Sequence, residues 1–123
     1  MEINSGIDLI EVNRLKNTYK NFGNLFLSRV YDPIEIDQFN KRSKRAKLNF
    51  LAKNFAAKEA VSKVLGVGFS QGVRPKDIVV LRKYGPPEVE LKGEAKKLAL
   101  QKGIKKISVS LSDTDAVSYT HLT

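Results

Sequence analysis

Leu48-Asn-Phe-Leu-Ala-Lys-Asn-Phe-Ala-Ala-Lys-Glu-Ala-Val-Ser-Lys-Val-Leu65 is the stretch that decides how this chain folds. It contains no glycine or proline and is rich in alanine, so it predicts a helix of about five turns. At 100° per residue, Leu48, Ala52, Phe55, Glu59 and Ser62 fall on one stripe. Phe50, Ala57, Val61, Val64 and Leu65 fall on a second. A helix that is apolar on two sides is buried between layers. Gly66-Val-Gly68 supplies a C-cap-like stop.

The segments after this helix read as strands. Asp77–Leu81 is an apolar run, Arg82–Pro87 contains the turn sequence Tyr84-Gly-Pro-Pro87, and Glu88–Leu91 alternates polar with apolar, so the two runs form a hairpin. Gly93 and Gly103 bracket a short amphipathic helix with Ala95, Leu98 and Ala99 inward. Ile104–Leu111 alternates again, Ser112–Asp115 is a turn, and Ala116–Leu122 is a last strand, giving a second hairpin. Upstream, Ile7-Asp8-Leu9 suits a strand end or a strand-to-helix junction. A helix follows from about Glu11 to Tyr19 and stops near Gly23. Leu25–Val30 is a short apolar run. Asp32-Pro33 starts another helix, with Asp32 as N-cap and Glu35 in the first turn, running to about Arg42 with Ile34, Ile36 and Phe39 inward. The expected architecture is one α+β domain over residues 1–123, with antiparallel strands packed on a long buried helix.

A length of 123 residues allows one such domain, and 41% apolar with 28% charged residues is a composition that folds. A domain this small hides only about two-thirds of its unfolded surface, so assembly into an oligomer would add burial. No apolar stretch approaches the roughly 20 residues of a membrane span, and Met1–Ile10 has no signal-peptide pattern, so no membrane partner and a cytoplasmic location are expected. The absence of cysteine removes disulfides, thiolate metal sites and cysteine nucleophiles. The net charge of +9 is concentrated: Lys41, Arg42, Lys44, Arg45, Lys47, Lys53 and Lys58 occur with no intervening acid. That field suits a solvated surface or a polyanionic partner, whether nucleic acid, a phosphorylated cofactor or an acidic protein.

Glu59 is the most informative titratable residue, because it lies within an apolar stripe where a free carboxylate is costly to desolvate. Lys63, four residues on, reaches the same face. The spacing admits an ordinary Glu–Lys helix pair at the core edge, or a hard oxygen ligand for Mg²⁺ beside a phosphate-binding lysine. Asp8 is either a cap or surface residue or a second carboxylate for the same ion, which takes one or two carboxylates and shares phosphate oxygens. Other chemistries lack their parts. His121 has no cysteine partner, and Ser112 with Asp113 and Asp115 reads as a turn. Gly66-Val-Gly68 is too short for a phosphate loop, and Phe50 and Phe55 suit a core better than base stacking.

Gly6-Ile-Asp-Leu-Ile-Glu-Val-Asn-Arg14, together with Phe55-Ala-Ala-Lys-Glu-Ala-Val-Ser-Lys63 and the following Gly66-Val-Gly68, resembles holo-[acyl-carrier-protein] synthase, the small trimeric class of 4′-phosphopantetheinyl transferases. The likeness extends through Gly85-Pro-Pro87 and Ser108-Val-Ser-Leu-Ser112. It implies a magnesium-dependent enzyme of fatty acid biosynthesis. Such an enzyme moves the phosphopantetheine arm of coenzyme A onto a serine of apo acyl carrier protein and releases adenosine 3′,5′-bisphosphate. It implies Asp8 and Glu59 as metal ligands, Glu59 and Lys63 as catalytic groups, and Lys63, Gly66, Pro87, Ser112 and Thr114 at the coenzyme A site. It also implies Arg14 as a docking contact for the acidic carrier protein, and a homotrimer with sites between protomers. Three positions depart from the family pattern. Asp113 replaces a histidine, Asn54 replaces an arginine whose phosphate contact would be weakened or relocated, and Pro86 replaces a lysine. Two rival readings remain: a nucleic-acid-binding module using Lys41–Lys58, and a coenzyme A-binding relative whose turnover is impaired by Asp113.

Overall fold

A computed structural model describes residues 9–66, 69, 72–83, 87–110 and 117–121. Four helices come first: α1 (Leu9–Phe22), α2 (Asn24–Val30), α3 (Pro33–Asn40) and α4 (Lys44–Val64). A 3₁₀ turn at Pro75–Asp77 leads into β1 (Ile78–Leu81), then β2 (Glu88–Leu91), α5 (Gly93–Gln101), β3 (Ile104–Val109) and β4 (Val117–His121). The two expected hairpins are joined into a single antiparallel sheet in the order β1-β2-β3-β4. β1 and β2 pair in register from Ile78↔Leu91 to Leu81↔Glu88, and among the described residues β2 pairs with β3 at Glu88↔Ser108.

Local chemistry sets the helix boundaries. α4 begins a turn before Leu48 because Ser43 caps it, its Oγ accepting the Ala46 N–H at 3.3 Å. Asp32 caps α3 as expected, accepting the Ile34 N–H at 3.0 Å, and Glu35 closes a capping box by accepting the Asp32 N–H at 3.0 Å. Two readings need correction. The helix expected over about Glu11–Tyr19 runs from Leu9 to Phe22, and Ile7 and Asp8 lie outside the described residues. Ile34, expected inward, is 46% exposed, because the face of α3 turned to the core carries Glu35 and Phe39, four residues apart. The run Leu25–Val30 becomes helix α2, entered through Gly23 at φ +51°, a conformation that only glycine adopts without strain.

α4 is the spine of the core and packs on both sides, as its two apolar stripes require. Ala52 meets Val12 and Leu15 of α1, with Leu48, Phe55 and Ala56 partly buried around them. On another side Val61 and Leu65 join Ile78, Ala95, Ala99, Ile104 and Ile107 beneath the sheet and α5. Phe50 and Leu51 pack with Leu27, Tyr31 and Phe39, where the Tyr31 hydroxyl donates to the Leu51 carbonyl at 2.8 Å. Fully burying aliphatic side chains such as Val61 and Ile78 contributes roughly 1.5–3 kcal/mol each. That burial fixes the height and tilt of α4 against its neighbours.

Candidate functional site

The seam between α1 and α4 opens into a cavity of about 320 Å³, lined by Arg14, Leu15, Thr18, Phe26, Phe55 and Glu59. Helical spacing builds its walls. Phe55 and Glu59 are four apart on α4, and so are Arg14 and Thr18 on α1, where the Thr18 hydroxyl donates to the Arg14 carbonyl at 2.9 Å. Glu59 is half-buried, and its backbone carbonyl accepts the Ser62 hydroxyl at 2.6 Å. Two residues singled out in the sequence, Glu59 and Arg14, therefore share one groove. Its apolar floor is Leu15, Phe26 and Phe55.

Lys63 lies one turn beyond Glu59 and is exposed. Gly66 ends the helix with φ +85° and donates its N–H to the Lys63 carbonyl at 3.0 Å. A Cβ at Gly66 would lie 3.2 Å from the Lys102 ammonium, so the end of α5 brings a further cation to this corner. Pro87 is half-buried ahead of β2 and is not among the residues lining the groove. Asp8, Ser112, Asp113 and Thr114 lie outside the described residues, as does the side chain of His121. Among the described residues there is no group of three Asp, Glu, His or Cys side chains able to hold a metal.

The opposite face of α4 carries a polar centre that the sequence reading missed. Lys58 and Glu35 are both fully buried and pair at 2.6 Å. The Lys58 ammonium also donates to the carbonyls of Pro75 at 2.9 Å and Ile78 at 2.6 Å, which uses all three of its hydrogens. The other Glu35 oxygen accepts the Asn54 amide at 3.1 Å and the Val80 N–H at 3.4 Å. Burial pushes the Glu35 carboxyl up and the Lys58 ammonium down, and their mutual attraction opposes both shifts. The buried Tyr31 phenol is raised by desolvation and by the Glu35 charge. Two expectations change. Lys58 is neutralised inside the protein and adds nothing to the external basic field. Asn54 is fully buried and faces Glu35 and β1, so Asn54 itself makes no phosphate contact and any such contact would have to be relocated. The available signal was Lys58's place on a stripe with Asn54, Val61 and Leu65.

Residues 4–119 match the family described as the 4′-phosphopantetheinyl transferase superfamily. A holo-[acyl-carrier-protein] synthase of Thermoanaerobacter sp. (strain X514) is 45% identical over 115 residues, covering 93% of this chain and 80% of the relative. Among solved structures, the holo-[acyl-carrier-protein] synthase of Neisseria meningitidis superposes with a TM-score of 0.69 at 33% identity, covering 80% of this chain and 78% of that one. The acyl carrier protein synthase of Plasmodium yoelii with ADP bound gives 0.69 at 37% identity, covering 89% and 83%.

Proposed function

The chain belongs to the holo-[acyl-carrier-protein] synthase family of the 4′-phosphopantetheinyl transferase superfamily, and we infer that it transfers the 4′-phosphopantetheine group of coenzyme A to apo acyl carrier protein. The observation that carries this reading to particular residues is the groove shared by Glu59 and Arg14 at the α1–α4 seam.

In the transfer, a serine oxygen of the carrier protein forms a bond to the pantetheine-side phosphorus of the coenzyme A pyrophosphate. The bond from that phosphorus to the bridging oxygen breaks, and adenosine 3′,5′-bisphosphate leaves with the electron pair. Such a reaction depends mostly on positioning and on stabilising negative charge. Glu59 stands on the groove wall as the acceptor of the serine proton. Lys63, exposed one turn further along, faces solvent where an anionic leaving group can reach it. Arg14, also exposed, offers the carrier protein's acidic surface a cation at the rim of the same groove.

Asp8 and Glu59 would hold the magnesium ion. Hard carboxylate oxygens suit it, and so small a protein ligand set matches an ion that keeps several waters and shares substrate phosphates. When bound, the ion neutralises charge on the pyrophosphate. Gly66, Pro87, Ser112 and Thr114 complete the coenzyme A site in this proposal. The same reading includes a homotrimer in which a neighbouring protomer supplies the second wall, since a domain this small gains burial by assembling. A role in fatty acid biosynthesis and a cytoplasmic setting belong to the same reading. No described helix is long and apolar enough to cross a membrane.

The test is a mass assay with apo acyl carrier protein, coenzyme A and Mg²⁺. The wild-type chain should add one phosphopantetheine increment to the carrier protein, and a chelator should stop the reaction. Glu59→Ala and Asp8→Ala should each lower the rate by at least about 10²-fold with the fold retained. Full-rate transfer by either variant would remove it from the metal and proton-transfer roles.

A further inference from the structure

Among the described residues, two of the seven cations between Lys41 and Lys58 have carboxylate partners: Lys58 with Glu35, and Lys41 with Asp37 at 3.1 Å. Arg42 shares an aromatic ring with a cation from a distant part of the chain, and Lys47 sits on the ring beside it. Arg42, in the turn before α4, places its guanidinium carbon 4.8 Å from the Phe50 ring centroid. Arg82, just past β1, places its own 4.4 Å from the same centroid. The Lys47 ammonium lies 5.1 Å from the ring of Phe39, which packs against Phe50 with centroids 6.4 Å apart. One aromatic pair thus gathers three cations.

Among the described residues, no Asp or Glu oxygen lies within 4.0 Å of any of the three. The Arg82 side chain donates to neutral oxygens, Asn54 Oδ1 at 3.0 Å and the Phe50 carbonyl at 3.2 Å. Partial burial and the neighbouring Arg42 charge lower its pKa to about 10, with the Glu35 charge opposing them. Contact with a ring face offsets part of this repulsion but supplies no counter-charge. The first turn of α4 contains no acid either. Phe39 and Phe50 are 2% and 1% exposed, so they hold the cations from beneath and leave no ring face for a nucleobase. Guanidinium forks match the oxygens of a compact, multivalent oxyanion such as phosphate.

We propose that Arg42, Lys47 and Arg82 form a binding site for a phosphate group at the start of α4. Phe50 precedes Glu59 by nine residues, about 13 Å along the helix, so the site is separate from the α1–α4 groove of this chain. The proposal does not depend on the transferase reading.

Calorimetric titration of the full chain with inorganic phosphate, and separately with adenosine 3′,5′-bisphosphate, tests it. Arg42→Gln is the decisive variant, because the Arg42 side chain makes no hydrogen bond within the described residues, and its loss removes a ring contact of small energy, so the protein should stay folded. Arg42→Gln should weaken phosphate binding about tenfold, the value of one charge-assisted contact. Arg82→Gln should weaken it more, provided its melt shows a folded protein. Equal weakening for both probes supports a site for free phosphate, and weakening confined to the bisphosphate supports a nucleotide phosphate. Binding of both probes unaltered by Arg42→Gln overturns the proposal. So does no binding of either probe, or Arg42-dependent binding of duplex DNA alone.

Discussion

The two faces of α4 treat adjacent charged residues in opposite ways. Toward α3 and β1, Lys58 is fully buried, with each ammonium hydrogen assigned to an oxygen of Glu35, Pro75 or Ile78. Toward α1, Glu59 is half-buried on the wall of a cavity. One residue apart on a helix means a turn of about 100°, so a single rotational setting of α4 both seals one charge and presents the other. The inward face holds its charges in a satisfied network that resists rearrangement. The outward face sets Glu59 on the wall of the α1–α4 cavity.

The contrast can be broken most severely from the inward side. Lys58→Met leaves Glu35 buried without a counter-charge and should lower unfolding stability by about 3–5 kcal/mol in urea titrations. Adding Glu35→Met should recover much of that loss, because removing both charges also removes the desolvation penalty. A Lys58→Met chain within about 1 kcal/mol of wild type would show that the pair does not anchor the helix.

Lys63→Ala probes the outward side. The residue is exposed, so stability should move by no more than about 0.5 kcal/mol. Transfer to the carrier protein should slow by roughly ten- to a hundredfold if the lysine stabilises developing phosphate charge. Progress curves matching wild type would remove Lys63 from the chemistry.

A smaller effect belongs to the rim of the inward network. Partial burial raises the Asp32 carboxyl, but the Lys92 ammonium at 2.8 Å, the Ile34 N–H and the Lys58 charge outweigh it and hold its pKa below the usual value. A carboxyl lowered on folding contributes stability that is complete above its unfolded pKa of about 3.9 and is lost as pH falls through the folded value. Asp32→Asn keeps an N-cap but removes that titration, so its melting temperature should fall less steeply than wild type below about pH 4. Identical acid limbs would refute the assignment. The smallest change is expected at Lys41–Asp37, whose side chains are 71% and 62% exposed: Lys41→Ala should shift stability by less than about 0.5 kcal/mol in the same assay.

Much of this molecule is legible without coordinates, because its elements follow local rules. The alanine-rich stretch ending at Gly66, the Asp32-Pro33 cap and the alternation in Glu88–Leu91 and Ile104–Val109 each mark an element that the structure contains. The stripe that carries Ala52, Phe55 and Glu59 is legible too, whereas its packing against α1, which brings Arg14 to the same groove, is not. Phe55–Lys63 carries the family likeness for the same reason: a run of helix holds its functional residues at fixed spacing.

What could not be read depends on contacts between distant residues. Glu35 looks like a first-turn acid and Lys58 like one more surface cation. Only the docking of α3 and β1 onto α4, across 23 residues of sequence, makes them partners. Arg82 joins Arg42 at the Phe50 ring through packing, and no local pattern links the three. Sequence by itself determined the elements, the two-sided burial of α4 and the residues on its groove stripe, since backbone periodicity and capping act within a few residues. Tertiary structure alone decided which charges are buried in pairs and which line the groove, because burial and pairing depend on what the fold brings within a few ångströms.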